Sequence, residues 1–510
     1  MMKQTCRFWA CGVSSPWFIR EVTDVSIKPI LVPTLASMAL TLILLGTVPP
    51  AYGDNPLPDI GTAGVAALTI DREQAYGESF MRFARASLPV IDDPVLNEYL
   101  SDLGQNLVSH ASDVRFPFSF FLIRDDSINA AAFLGGKVKV HTGLFLYANS
   151  ESELASVLAH EISHVTQRHI ARYMESQMRQ TPATIAGLVG SVALAILNPT
   201  AGMAALQTTM GIQAQVAINY TRDNEYEADR IGMKLLNDAG YDPMGMANFF
   251  QKLAAEYRYA SKPPEMLLTH PLPETRIAEA RSRAASYPRK PPRDETNYLF
   301  AKARIQVRYS SETPDGMLDY FDRQMKRQNK GVDGLRYGKV LALLALNRAK
   351  DAEPLLADLV RRYPDNLFII DTQSDLDIAG GHAAQAVSKL ERRYQTQPDN
   401  SVIVFNLAAG YLELGQAAKA QKLLDLYVRN HPDSNLGWQM LTDACQKSGD
   451  ETNLHLAFAE SRALQGDFLR AMDELNVARA TTSDKLVTAR IDARLVQLEQ
   501  AKRQDESLKQ

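Results

Sequence analysis

His160, Glu161 and His164 form a His-Glu-x-x-His stretch, which packs two metal ligands and a general base into little more than one turn of helix. At about 3.6 residues per turn, positions i and i+4 share a face, so both imidazoles can hold one ion while Glu161 lies beside its open position. Such a metal acidifies a bound water, and the carboxylate takes the proton. The competing reading is a pair of half-buried polar residues with no metal. Leu154, Val157, Leu158, Ile162 and Val165 supply a helical apolar stripe, and no proline or glycine interrupts from Glu151 to Tyr173, so the motif is predicted to lie on a helix.

A catalytic zinc site wants three protein ligands, so this helix is incomplete alone. Arg222-Asp-Asn-Glu225-Tyr-Glu227-Ala-Asp229-Arg230 offers the candidates. Glu225 and Asp229, at i and i+4, share a face that Glu227 leaves. That suits one metal ligand plus one carboxylate gripping a ligand imidazole by its other ring nitrogen. Asp223, Glu227 and Arg230 fit a solvated helix face better. His169 follows His164 by five residues without a glycine between, whereas a metzincin third ligand follows by six with one.

The elements that must position these residues are legible around them. Asp71 to Leu88 and Asp93 to His110 have helical periodicity. Phe116 to Ile123, Ser127 to Phe133 and the alternating Lys137-Val138-Lys139-Val140-His141, which follows a Gly135-Gly136 turn, predict a small sheet ahead of the helix. Lys137 to His141, as an edge strand beside the metal helix, would accept an extended substrate through backbone hydrogen bonds. Residues 180–221 carry no charge, and their most apolar part, Ile185 to Leu197, is too short to span a bilayer. A buried hairpin, a flap over the cleft, or a surface in peripheral contact with the membrane would each suit; the placement between the two motif halves favours the flap.

The ends and the second half read differently. Lys3, Arg7, Arg20 and Lys28 precede an apolar run from Met38 to Leu45, and small residues Ala51 and Gly53 suit cleavage before Asp54. Residues 1–53 are therefore expected to be a signal peptide, with an uncleaved anchor or a start codon assigned too early as alternatives. Cys6 and Cys11 lie in that leader, leaving Cys445 alone beyond it. Residues 54–286 are expected to form the domain that carries the metal motif, a zinc metallopeptidase on that reading, and 287–296 a proline-rich linker. Beyond it, Pro364-Asp-Asn, Pro398-Asp-Asn and Pro432-Asp-Ser recur at intervals of 34 residues, and Asn347, Gly381, Gly415 and Gly449 keep the same spacing. That is the tetratricopeptide period, in which paired helices need a turn residue between them and a proline at the repeat end. Residues 297–495 are expected to hold about four repeats offering a concave surface to a peptide or protein, with 496–510 a polar tail. A length of 510 residues implies two or three domains, and a net charge of −4 with 45% apolar residues gives no sign of nucleic-acid binding.

His-Glu-x-x-His followed some sixty residues later by Glu-x-x-x-Asp resembles the gluzincin metallopeptidases, most closely the periplasmic members that carry a tetratricopeptide array. The resemblance implies an α+β fold: a mainly helical zincin-type domain with a small β-sheet, then an all-α solenoid. It implies one zinc ion on His160, His164 and Glu225, Glu161 as the base, and Asp229 holding a ligand. It also picks out His270 in Leu268-Thr-His270-Pro271, either occupying the fourth metal position and silencing the enzyme or stabilising the oxyanion. Asn129 and Ala130 resemble a family motif. The activity implied is that of a periplasmic zinc endopeptidase with chaperone-like action in outer-membrane β-barrel assembly and quality control. Its clients would be unfolded or stalled outer-membrane proteins, with the β-barrel assembly machinery docked through the repeats. The other class is a non-proteolytic tetratricopeptide scaffold with a vestigial metal domain, against which the intact Glu161 and complete ligand set argue.

Overall fold

The computed structural model describes residues 64–178, 214–259, 264–327 and 331–508. The expected signal peptide and most of the charge-free segment lie outside them. The architecture is α+β, a mainly helical domain with one small sheet followed by an all-helical array. Among the described residues, no helix is long and apolar enough to cross a membrane.

Helix α1 (Ile70–Ser87) opens on Thr69, whose hydroxyl accepts from Arg72 N–H, and carries Asp71 and Glu73 in its first turn. Helix α2 (Pro94–Val108) has the complementary start: Asp93 caps Val95 and Leu96, and Pro94 fills a position where no N–H is needed. Three strands follow, β1 (Ser119–Ile123), β2 (Ala130–Phe133) and β3 (Lys137–His141), in the order β1-β3-β2. β3 runs parallel to β1, with Ser119 opposite Lys137, and antiparallel to β2, with Ala130 opposite Val140. Gly135 and Gly136, at φ 69° and 74°, make the β2–β3 turn in a conformation that side chains disfavour.

This topology corrects the assignment of Lys137 to His141 as an edge strand for substrate. Lys137, Val138, Lys139, Val140 and His141 form the central strand, paired on both sides and buried throughout. The alternation of lysine with valine misleads because a lysine stem can be buried while its amine reaches a polar partner nearer the surface; Lys137 Nζ lies 3.0 Å from Glu78. β2 is instead the edge strand, and it lies against the metal helix.

After the short α3 (Thr142–Tyr147), α4 (Glu151–Thr166) carries the motif. Ser150 caps it by accepting from Glu153 N–H, while Glu153 reaches back to Asn149 N–H, a reciprocal arrangement that fixes the start. The helix does not continue to Tyr173 as its lack of proline and glycine suggests. It stops at Thr166, Arg168 takes a left-handed φ of 52°, and α5 (His169–Met178) departs in a new direction. The buried Arg168 guanidinium holds the break by donating to Glu73 at 2.6 and 2.9 Å and to Leu68 O at 2.6 Å. α6 (Ala214–Asp238), α7 (Met244–Tyr259), α8 (Glu265–Thr269) and α9 (Glu274–Ser286) complete the domain. Gly232 lets α6 come against α4: a Cβ there would sit 3.1 Å from Ala159 O.

Residues 287–295 are non-helical, but they do not separate two cores. Arg293 lies over the Tyr241 ring at 4.1 Å, and Glu295 accepts from Glu151 N–H at 3.0 Å. One hydrophobic core continues from Leu96, Val140 and Leu158 into Phe300, Leu341 and Phe368. Among the described residues the array comprises twelve helices, six successive pairs in chain order: α10 (Thr296–Arg308) with α11 (Pro314–Arg327), α12 (Val332–Ala345) with α13 (Ala349–Arg362), and α14 (Leu367–Ala379) with α15 (Ala383–Tyr394). The rest are α16 (Ser401–Glu413) with α17 (Ala417–Asn430), α18 (Asn435–Ser448) with α19 (Glu451–Leu464), and α20 (Phe468–Thr481) with α21 (Lys485–Leu508). The count exceeds four because the first and last pairs lack the 34-residue turn signal. Where that signal exists it has a backbone cause: Asn347, Gly381, Gly415 and Gly449 all have positive φ, between 56° and 78°.

First helices of successive pairs face the peptidase. Asn400 and Ser401 bond Glu98 at 3.2 and 2.8 Å, and Asn435 bonds Asp92 at 3.2 Å. The segment expected to be a polar tail is the end of α21, where Asp505 is 9% exposed and accepts from Arg82 Nε of α1 at 3.1 Å. The array thus curls around the peptidase instead of trailing from it.

Candidate metal centre

α4 runs through the middle of its domain, with all of its residues but His164 and Val165 buried. That position suits a helix presenting ligands inside a low-dielectric cleft, because donors held rigidly there lose little on ordering. His160 and His164 project from one face, and Glu225 of α6 and His270, at the C-terminal end of α8, meet them. The ligand atoms of these four residues lie within 4.8 Å of one another. His160 Nε2 is 3.0 Å from His164 Nε2, 3.3 Å from Glu225 Oε2 and 3.3 Å from His270 Nδ1. His164 Nε2 is 3.3 Å from Glu225 Oε1, and His270 Nδ1 is 3.0 Å from the same oxygen.

These separations fit a metal ion. A tetrahedral centre with bonds of about 2.0–2.1 Å places its ligand atoms about 3.3 Å apart. Two imidazole Nε2 atoms at 3.0 Å cannot both carry hydrogen, so in the metal-free protein the cluster must share protons. Burial opposes charge on His160, yet Asp229 and Glu225 push it up to about 10. Burial takes His164 down to about 3. Burial also favours a neutral Glu225, but His270, His164 and His160 hold it well below the usual carboxylate range. A cation would take over the role of those protons.

Glu161 stands beside the cluster. Its Oε2 accepts from Ala132 N–H of β2 at 2.8 Å, and its Oε1 is buried with no hydrogen bond, 3.5 Å from His270 Nε2. One carboxylate oxygen is therefore fixed by the edge strand and the other is free toward the metal position.

Asp229 and Glu225 share a face of α6, one turn apart. Asp229 Oδ1 lies 3.0 Å from His160 Nδ1, off the ideal hydrogen-bond line, so it orients the ring chiefly by charge. Arg276 of α9, unforeseen from the sequence, grips Asp229 through Nε and Nη2 at 2.7 and 2.8 Å. Its Nη1 lies 2.9 Å from Glu225 Oε2 and donates to Pro271 O at 2.6 Å. The signal for it is periodic: Arg276, Ala280 and Ala284 are the buried residues of α9, so an arginine occupies the face that small apolar residues otherwise line.

Glu227 is not simply solvated, as its charged helix face suggested. It accepts from Arg172 Nη1 at 2.8 Å and from His169 Nε2 at 3.1 Å, contacts that draw it down to about 2. His169 stands outside that four-residue cluster, and its Nδ1 lies 2.8 Å from His164 Nδ1. Asn129 sits at the β2 edge, where its Nδ2 is 3.3 Å from Glu265 of α8.

Residues 94–284, which contain every one of these groups except Glu73 and Leu68 behind the α4 break, match Peptidase family M48, and residues 377–444 match the tetratricopeptide repeat. A Vibrio cholerae protein is 47% identical over 464 residues, covering 90% of this chain and 96% of its own length. The beta-barrel assembly-enhancing protease of Yersinia pestis is 43% identical over 87% of this chain and 91% of its own. The beta-barrel assembly-enhancing protease of Escherichia coli K12 is 40% identical over 91% of this chain and 96% of its own. Matches of that length and identity carry both halves of the chain at once, so it is a metallopeptidase that belongs to peptidase family M48, in the branch of the beta-barrel assembly-enhancing proteases.

Proposed function

We propose that this chain is a periplasmic zinc endopeptidase that acts on outer-membrane β-barrel proteins during their assembly and degrades misfolded or stalled ones. The observation that carries the reading is the convergence of His160 Nε2, His164 Nε2 and the Glu225 carboxylate beside the unbonded Oε1 of Glu161. Borderline-soft imidazole nitrogens with one carboxylate suit zinc better than calcium or magnesium, which take all-oxygen sets. The names of the relatives suggest the client class and, through it, the compartment.

His160, His164 and Glu225 would hold the ion. When bound, zinc polarises the scissile carbonyl and acidifies the attacking water. Glu161 takes the proton of that water on Oε1 while Ala132 N–H keeps Oε2 in place, and the same carboxylate returns the proton to the leaving amine. Asp229 and Arg276 keep the His160 ring oriented. His270, packed among these groups, would either occupy the position that substrate and water need or stabilise the oxyanion. An extended substrate would lie along the outer edge of β2, next to α4, which tolerates many sequences because backbone groups provide the contacts. Residues 1–53 would be the export signal, and the repeats would carry the contact with the assembly machinery.

The test is to purify the full chain and its Glu161→Gln variant and assay zinc content and cleavage of an unfolded outer-membrane protein. Both should hold about one zinc per chain while only the first cleaves. Substoichiometric zinc in both would remove the site. Full rescue of a deletion strain by the variant would favour the scaffold reading.

A further inference from the structure

We propose that His169 and Glu227 form a proton-ordered relay that fixes His164 in the tautomer whose Nε2 lone pair faces the metal. The inference rests on the metal site assigned above. His169 fails as a ligand by its spacing, and Glu227 lies on the side of α6 away from Glu225, yet the two meet behind His164.

The backbone makes this meeting happen. On an unbroken helix, a residue five positions beyond His164 lies about 140° around the axis and cannot touch it. At Arg168 the chain adopts a left-handed φ of 52°, which a non-glycine residue takes only when its surroundings impose it. Those surroundings are the buried contacts of Arg168 with Glu73 and Leu68 O. The turn brings His169 back so that its Nδ1 is 2.8 Å from His164 Nδ1.

The hydrogens along the chain are then determined. Arg172 Nη1, 2.8 Å from Glu227, keeps that carboxylate an anion, and an anion only accepts. A neutral His169 donates from Nε2, across 3.1 Å, and its Nδ1 is left with a lone pair. His164 must therefore be the donor at Nδ1, and its Nε2 is left free of hydrogen. His160 obtains the same result directly, because its Nδ1 faces Asp229. The two ligand histidines are thus oriented by two carboxylates of α6, one in contact and one through an imidazole. Glu227 also clasps α5 to α6, since both of its partners are on α5.

Full-length protein with Glu227→Ala, and separately with His169→Phe, tests the relay. Three quantities are measured: zinc affinity by chelator competition, the visible spectrum of the cobalt-substituted protein, and thermal unfolding of the metal-free form. Both variants should bind zinc about 10–100-fold more weakly and shift the cobalt bands. Glu227 is half-exposed, so its variant should unfold near the wild-type temperature when metal-free. Wild-type affinity and spectrum in Glu227→Ala overturn the relay, as does a loss confined to His169→Phe, which would assign it to packing. If the unaltered protein binds neither zinc nor cobalt, the metal site itself fails, and the relay with it.

Discussion

Arg276 donates through Nε and Nη2 to both carboxylate oxygens of Asp229, at 2.7 and 2.8 Å, from a side chain only 2% exposed. Its remaining nitrogen serves Glu225 and the carbonyl before the His270 loop turns into α9. One guanidinium therefore neutralises two buried carboxylates of α6, and Asp229 can face His160 without being expelled from the cleft. Removing one member of a buried ion cluster costs about 3–5 kcal/mol, because its partner charges remain buried.

Arg276→Met is accordingly expected to lower the unfolding free energy of the metal-free protein by about 3–5 kcal/mol. The loss should be smaller with zinc present, since the ion compensates Glu225. Arg276→Lys restores the charge without the fork and should fall between. Denaturant unfolding of the three proteins with and without zinc measures this. An Arg276→Met loss unaffected by zinc would show that the arginine does not serve the ligand.

His270 offers a second test, since its two roles predict opposite signs. Its Nδ1 is as close to His160 Nε2 and Glu225 as the ligands are to each other, which is the geometry of a fourth donor. His270→Ala should therefore weaken zinc binding yet raise the initial rate of cleavage of an unfolded protein at saturating zinc. If only about a tenth of the wild-type molecules have the position open, the gain is about tenfold. A lower rate at full zinc occupancy would place His270 with the transition-state stabilisers instead.

How far the sequence disclosed this arrangement depends on whether each feature is local. That His160 shares a face with His164, and Glu225 with Asp229, was legible because helical spacing determines which side chains lie together, whereas the choice of Glu225 over Asp229 as ligand came from the family resemblance. The repeat turns were legible because Asn347, Gly381, Gly415 and Gly449 answer a backbone requirement at a fixed period. Strand order was not, since β1 pairs with β3 in a register that sets Ser119 opposite Lys137, with β2 lying between them in the chain, and nothing local says which strand is central. The break at Arg168 was hidden for a related reason: its cause is Glu73, nearly a hundred residues away. His169, Glu227 and Arg276 became relevant only once tertiary contacts placed them behind the ligands. Residues 496–510 looked like a polar tail because their composition is charged, yet Asp505 finds Arg82 on the first helix of the peptidase.

Asp93 joins the peptidase to the repeats and gives stability a pH signature away from the metal. Its Oδ1 caps α2 through Val95 and Leu96 N–H at 3.2 Å, and its Oδ2 accepts from Arg304 Nε at 2.7 Å and Tyr309 Oη at 2.9 Å. Burial alone would raise its pKa, but the charge and hydrogen bonds of Arg304, with Arg308 and Tyr309, hold it below the ordinary value. A carboxyl depressed on folding contributes stability that is present above its unfolded pKa, about 3.9, and is lost as pH falls through the folded value. Asp93→Asn keeps the helix cap but removes the charge opposite Arg304, which retains Asp371 at 2.7 Å. The variant should be about 3–5 kcal/mol less stable near neutral pH, and the gap should narrow as pH falls from about 4, where the unfolded carboxyl protonates, toward the lower folded value, below which wild-type Asp93 is also neutral. Urea unfolding of both proteins across that range measures the gap. Parallel curves would mean that Arg304 does not depress Asp93, and that the junction owes its stability to the surrounding aromatic core of Tyr99, Phe300 and Phe368 instead.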